Sequence, residues 1–382
     1  MLILEKPYVS PVLVKFAEEN NIPVLRNEMS QLLVKQGCRL NLLDDDEFVK
    51  EYERRGRLYT MSENALGWIF KHIKDDDLLS KINLLKDKKA FRDICRSIYP
   101  DFFYCEKTVE ELAAIDASTL VYPLVLKPSV GFLSIGVYVV TNADEYRKAI
   151  ADIKTSFSVA SAQFPDFVVG STRFLIEEYI HGEEYAVDAY FDENGTPFIL
   201  NIYDHRFASE SDTSDRLYCS SKAIYDEYEQ PFMKFLQDIN AKVGLKNFPM
   251  HIEFRYDGKK AIPIEINPLR FAGFCLNELQ VHISGVHPIF SYLNNKSMSK
   301  EEMWRGKEND TYSFLVFERP KDSGEKVFDE KKFRADFMDV CECRPLFDTA
   351  VSVAATAFIR TDRQHEEEFS RILNLNVKDY MI

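Results

Sequence analysis

The sequence predicts a multidomain α/β and α+β protein. It divides into an N-terminal α/β domain over residues 1–86, a small α+β unit over 87–165, a larger antiparallel-sheet domain over 166–310 and a C-terminal α+β extension over 311–382. Three observations carry this reading. The chain opens on short apolar strands separated by an amphipathic helix, the pattern of a βαβ unit. Near residue 87 the pattern changes to a helix, two short strands and a second helix. From about residue 172 strand-length apolar runs follow one another with tight turns between them. A chain of 382 residues is long enough for several packed units.

Residues 1–4 read as the first strand. Ser10 caps a helix running to Glu19, and Pro11 at its first position gives up an amide that would be unpaired there anyway. Residues 21–25 read as the second strand, and a further helix follows Ser62. Asp87 caps a helix whose apolar face carries Phe91, Ile94, Cys95 and Ile98, spaced for one side of a helix. Strands are predicted over 122–127 and 136–140, with a glycine-containing turn between them. Asn142 and Glu145 have capping-box spacing ahead of a helix bearing Tyr146, Ala149, Ile150 and Ile153 on one face.

Further strands are predicted over 174–177, 184–191 and 197–203, the last two joined by a turn at Glu193-Asn194-Gly195. Residues 209–216 read as a polar loop, and 230–243 as a helix. Strands over 251–256 and 261–267 follow, joined at Asp257-Gly258. The C-terminal stretch adds strands over 311–317 and 350–359, and a closing helix from about Gln364.

Composition narrows the function. A formal net charge of −14 argues against a nucleic-acid or anionic-membrane surface. No apolar run approaches the roughly 18–20 residues needed to span a bilayer. The first residues become charged too soon for a signal peptide. The seven cysteines are scattered without a CxxC pair, which reads as reduced thiols in a cytoplasmic protein.

Three constellations could carry chemistry. Alternation puts His251, Glu253 and Arg255 on one side of their strand, and Glu265 and Asn267 together on the next. The intervening hairpin sets these strands side by side, and clustered carboxylate and amide oxygens suit a hard cation such as Mg²⁺. Taken alone, an acidic face of an exposed hairpin explains the pattern as well. The second is Lys127-Pro-Ser-Val-Gly131-Phe-Leu-Ser134-Ile-Gly136-Val137, a lysine ending an apolar strand before a turn rich in glycine and serine. Glycines let backbone amides approach phosphate oxygens and the lysine adds a point charge, although this is not a Walker A loop. An ordinary strand–turn–strand accounts for it too. The third runs from Leu175 through Glu177, Glu178, Tyr179 and Ile180 to Gly182 and Glu184. Its connector offers backbone groups to an adenine edge and a carboxylate to ribose hydroxyls, yet by itself it reads as an acidic turn.

In this order and at these separations, residues 87–275 resemble the ATP-grasp superfamily. The resemblance implies the ATP-grasp fold, with an N-terminal domain preceding it, a lid subdomain, a central antiparallel-sheet domain and a C-terminal extension. Asp87-Lys88 resembles the pair that opens the lid, where Lys88 reaches the nucleotide phosphates. Residues 127–137 resemble the phosphate loop, placing Lys127 and Ser134 on the phosphates. The stretch 177–184 is similar to the hinge. There Glu177 would meet the adenine amino group, Glu178 and Ile180 would offer backbone contacts, Tyr179 would flank the base and Glu184 would hold the ribose. Glu253, Glu265 and Asn267 fall on the family's magnesium ligands, for two Mg²⁺ ions with Mn²⁺ as an alternative. One departure is Asn267-Pro268-Leu269-Arg270, which displaces the family's arginine by one residue. Arg270 is then the candidate catalytic cation beside Lys127.

The activity the resemblance implies is ATP-dependent and ADP-forming. A carboxylate becomes an acyl phosphate, which an amine such as an amino acid or small metabolite captures. Carboxyphosphate chemistry and a non-catalytic ATP-binding role are the alternatives, and no biotin-attachment Met-Lys-Met motif is present. Arg206, Arg216 and Arg255 are candidate substrate contacts. The expected partners are ATP and small molecules, without nucleic acid or membrane, and a homodimer is compatible with the sequence.

Overall fold

Ser10 accepts the Leu13 amide at the start of the helix Pro11–Glu19, with proline in its first turn. Around that helix four short strands pair in parallel in the order β3-β2-β1-β4: β1 (Leu2–Ile3), β2 (Pro23–Leu25), β3 (Asn41–Leu43) and β4 (Tyr59–Thr60). The helices Glu28–Lys35 and Asp45–Arg55 were not anticipated, although Asn27 and Asp44 each form a capping box. The computed structural model describes residues 1–129, 136–163, 173–209, 212, 214–348, 351–362, 365 and 367–382. By contacts these residues form two units, one of 1–75 with 183–382 and one of 76–182.

In the smaller unit Asp87 caps the helix Lys88–Cys95 by accepting the Ala90 amide. Four strands follow: β5 (Tyr104–Thr108), β6 (Leu124–Pro128), β7 (Tyr138–Val140) and β8 (Arg173–Glu178). They pair antiparallel in the order β5-β8-β6-β7. Leu124, Leu126, Phe174 and Ile176 fill one face and bury against Leu112, Tyr146, Ile150 and Ile153. Because strand side chains alternate, Val125, Lys127 and Glu177 occupy the other face. Asn142 accepts the Glu145 amide as expected, but the return bond from Glu145 goes to the Thr141 amide. Gly131 and Ser134 of the phosphate-loop reading lie outside the described residues, as do Ala350 and Gln364.

The larger unit is built on an eight-stranded antiparallel sheet. Its strands are β9 (Glu183–Phe191), β10 (Pro197–Arg206), β11 (Leu217–Ser221), β12 (Phe248–Tyr256), β13 (Ala261–Pro268), β14 (Asp310–Glu318), β15 (Asp339–Pro345) and β16 (Val353–Asp362). They lie in the order β13-β12-β9-β10-β11-β14-β16-β15. The strands of 311–382 thus continue the sheet that carries the metal-ligand candidates. β11 and β15 were missed, since each is a short run in which polar residues interrupt the apolar signal. The long helix begins at Lys222 rather than near Gln230, because Ser221 caps it, and Pro231 lies inside it. Leu217, Cys219, Leu315, Phe317 and Ala357 bury against Phe333, Phe369, Ile372 and Tyr380 of the C-terminal segments.

All seven cysteines are free. Among the described residues no helix is long and apolar enough to cross a membrane.

Gly195, in the β9–β10 turn, has φ +83°, and a Cβ there would sit 3.0 Å from Asn240 Nδ2 and 3.1 Å from the Leu245 carbonyl. Gly258 has a similar φ of +88° with nothing within 4 Å. Gly195→Ala is therefore expected to cost about 1–3 kcal/mol and more than Gly258→Ala, read from urea unfolding midpoints.

Candidate functional site

The register of β12 and β13 sets Glu253 directly opposite Glu265 and His251 opposite Asn267. Asn267 Nδ2 donates to Glu265 Oε1 at 3.3 Å. The predicted grouping of three oxygen-bearing side chains is therefore realised, with a bulge following Glu253. Like charges opposed on an antiparallel pair repel. Burial, then the charges of Glu265, Glu184 and Asp215, hold the Glu253 carboxyl well above the usual carboxylate range, while Arg270 opposes this. Two carboxylates and a carboxamide form an all-oxygen donor set that fits a hard divalent cation, with phosphate and water completing its shell. Among the described residues no group of three His, Cys, Asp or Glu side chains is placed to hold a metal. The set instead consists of two carboxylates and an amide.

In the same cross-strand row as His251 and Asn267 lies Asp188, fully buried on β9. Asp188 Oδ1 accepts from His251 Nδ1 and from the Ala272 amide, each at 2.8 Å, and Oδ2 accepts the Tyr203 hydroxyl at 2.8 Å. Burial and the Asp188 charge push the Tyr203 hydroxyl far up, so it stays protonated and donates. His251 Nε2 lies 3.9 Å from Glu253 Oε1. The Ala272 bond also ties down the turn after Asn267, where Leu269 has φ +60°. Arg270 follows that residue, its side chain 15% exposed, donating to the Phe271 carbonyl and lying 3.6 Å from Glu63.

One row across the sheet pairs Arg255 with Glu184, Glu184 with His205 and His205 with Tyr218. Glu184 accepts from His205 Nδ1 at 2.9 Å and from Arg255 Nη2 at 3.0 Å. Burial works to raise the Glu184 carboxyl, but His205 and Arg255 overcome it and hold the group below the usual range. The ribose candidate is therefore a fixed, ionised acceptor, and Arg255 is its partner.

The other two predicted substrate arginines are not brought to this row. Arg206 follows His205, so alternation sends it to the opposite face, where it donates to Asp204 and stacks over the Phe369 ring at 4.6 Å. Arg216 donates to the Leu375 carbonyl at 2.6 Å, which commits it to the C-terminal segment.

The smaller unit carries its own constellation. The Lys88 amide donates to the Ser129 carbonyl, joining the start of the helix Lys88–Cys95 to the end of β6. One turn on, Arg92 is buried and unanticipated. It grips Glu177 with Nε at 2.8 Å from Oε2 and Nη2 at 3.2 Å from Oε1. Lys127 Nζ meets the same Oε1. Burial works to raise the Glu177 carboxyl, yet Arg92 and Lys127 lower it to about 2. Its carboxylate is thus held by two cations, Arg92 and Lys127. Past β8, the Glu178 amide bonds the Phe103 carbonyl and the Tyr179 amide the Pro123 carbonyl. The Tyr179 ring meets His181 edge-on at 5.1 Å, and Ile180 is buried.

Sequence reasoning missed a further buried cluster in the larger unit. Arg344 on β15 donates to Glu278 Oε2 at 2.6 Å and, through Nε and Nη2, to both oxygens of Glu342 at 2.6 and 2.7 Å. Ser10 bonds the other Glu278 oxygen, and His282 lies 3.3 Å from Glu342. Glu342 pairs with Phe358, which pairs with Phe314 and so with Tyr218, placing this cluster on the face of Glu184 and His205. In the sequence Glu342 and Arg344 look like the solvated side of an edge strand. No local signal marks the burial of Arg344.

Residues 120–278 match the ATP-grasp domain model, so the chain carries an ATP-grasp domain. Solved structures extend the ATP-grasp fold over its whole length. An L-amino acid ligase from Bacillus licheniformis aligns over 100% of this chain and 97% of its own, with a TM-score of 0.71 and 17% identity. A biotin carboxylase from Campylobacter jejuni aligns over 100% and 91%, with a TM-score of 0.63 and 14% identity. A phosphoribosylglycinamide synthetase from Anaerococcus prevotii aligns over 100% and 98%, with a TM-score of 0.61 and 14% identity. No curated protein matches by sequence.

The folded Glu177 carboxyl titrates at about 2, against 4.5 for the free group, so its ion pairs add stability above pH about 4.5. That contribution is lost as pH falls from there toward 2. The difference in melting temperature between wild type and Glu177→Gln is therefore expected to be largest near neutral pH and to narrow steadily below pH about 4.5.

Proposed function

We propose that the protein is an ADP-forming ligase that activates a small-molecule carboxylate with Mg-ATP and joins it to an amine. The observation that carries this reading is the register that sets Glu253 opposite Glu265 with Asn267 beside them. Opposed carboxylates call for a counter-cation, and an all-oxygen set suits Mg²⁺ bound to phosphate oxygens. Mn²⁺ could replace it in the same set. The shared fold of an L-amino acid ligase and a phosphoribosylglycinamide synthetase supports the ligase class.

In this reading Lys88, Lys127 and Ser134 bind the phosphates, Glu178 to Ile180 the base, and Glu184 the ribose. An oxygen of the substrate carboxylate attacks the γ-phosphorus. The bond to the β-phosphate oxygen breaks, ADP leaves and an acyl phosphate forms. The amine nitrogen then attacks the acyl carbon, inorganic phosphate departs and the nitrogen gives up its proton. No protein nucleophile is needed; alignment and charge neutralisation lower the barrier. Bound Mg²⁺, held by Glu253, Glu265 and Asn267, would supply most of that neutralisation. Arg270, on the turn fixed by Asp188, adds positive charge for the transferring phosphoryl group.

ADP and phosphate release should be followed with Mg-ATP and amino acids, singly and in pairs, and with bicarbonate. Release that requires both a carboxylate and an amine, and that falls on the order of 100-fold or more in Glu265→Ala, is the expected result. Release that depends on bicarbonate would instead place the chemistry with carboxylation. Nucleotide binding without turnover under any of these conditions would favour a non-catalytic ATP-binding role.

A further inference from the structure

Arg92 has no place in the proposed reaction, yet it is the most deeply committed cation of the smaller unit. Its side chain is 2% exposed and its guanidinium lies 4.6 Å from the centre of the Phe102 ring. A buried charge persists only where partners satisfy it, and here the partner is Glu177 through two parallel hydrogen bonds. Glu177 Oε1 is shared between Arg92 and Lys127, whereas Oε2 is gripped by Arg92 Nε. The planar fork of an arginine fixes the carboxylate in orientation as well as position.

We propose that Arg92 is a positioning residue that acts through Glu177 to keep the Lys127 ammonium available to the nucleotide phosphates. The inference rests on the ATP-binding reading above. Its physical basis is charge division. With Lys127 alone, Glu177 would form a closed, neutral pair and hold the ammonium to itself. With Arg92 present, two cations divide one carboxylate, and Lys127 retains uncompensated charge. Burial works to lower the Lys127 ammonium, Glu177 opposes this, and the charges of Arg92 and Lys88 lower it further. A polyphosphate is the anion that such a surplus attracts. Lys88 lies one helical turn before Arg92, and its amide is tied to the end of the strand that carries Lys127. The sequence hides Arg92 because it follows Phe91 within an otherwise ordinary amphipathic helix.

The test separates phosphate binding from general integrity of the unit. Affinities for Mg-ATP and for adenosine, which lacks phosphate, are measured by calorimetry for wild type, Arg92→Gln and the Arg92→Gln/Glu177→Gln pair. Arg92→Gln should weaken Mg-ATP by about tenfold or more and leave adenosine unchanged. The double variant, which removes the carboxylate that would capture Lys127, should recover most of the loss. Equal weakening of both ligands, or no weakening of Mg-ATP, would overturn the proposal, as would failure of the double variant to recover. Should Arg92→Gln not fold, Arg92→Lys keeps the dividing charge and should hold Mg-ATP affinity within about threefold of wild type; a selective loss of about tenfold or more there would overturn the proposal. A wild-type protein that binds no ATP refutes the ligase reading itself, a result distinct from all of these.

Discussion

The functional face of the larger unit depends on one buried carboxylate. Asp188 sits on β9, third strand from one edge of the eight-stranded sheet, with no exposure, and such a group is tolerated only when its oxygens are filled by donors. Its three donors come from three different places: His251 on β12, Tyr203 on β10 and the Ala272 amide beyond β13. Each bond fixes something the site needs. The His251 ring is held with its second nitrogen toward Glu253. The turn carrying Leu269 and Arg270 is held in a conformation that a non-glycine residue seldom adopts. Loss of any donor would leave charge unsatisfied in the core, so the network is stable only when complete.

Alternation along the strands divides the labour of both sheets. In the smaller unit one face is apolar and buries against helices, while the other carries Lys127 and Glu177 and receives Arg92. In the larger unit the odd positions of the C-terminal strands bury against the closing helices. Their even positions Phe314, Phe358 and Glu342 lie in one row with Tyr218, so aromatic rings stand between His205 and the Arg344 cluster. The sheet of these C-terminal strands is continuous with the strands bearing Glu253 and Glu265. Acidic and basic groups meet in clusters of unequal charge in both units: three acidic groups press on Glu253, while two cations share Glu177.

Much of this was legible before any coordinates. Period-two alternation and the turn signal at Asp257-Gly258 were enough to set the two strands side by side, but the bulge after Glu253 is what brings it opposite Glu265. The Ser10-Pro11 start and the Asp87 cap were legible because capping involves residues three or four apart. The partners of Glu184, His205 and Arg255, come from two other strands and were not legible. Nothing near Glu177 in the sequence tells an exposed acidic strand end from a buried ion pair. Only the arrival of Arg92 from a helix far earlier in the chain distinguishes them.

The sequence by itself determined the order of elements, the faces of the strands, the acidic hairpin and the membership of an ATP-grasp domain. These are carried by spacings of two to four residues and by motifs read in order. The tertiary structure alone decided which charges are buried and with whom: Arg92 with Glu177, Asp188 with His251, Arg344 with Glu278 and Glu342. It also decided that Arg206 and Arg216 turn away. The reason is physical. Whether a charged side chain is solvated or buried depends on what packs over it, and the covering residues lie tens to hundreds of positions away in the chain. No local pattern encodes that distance.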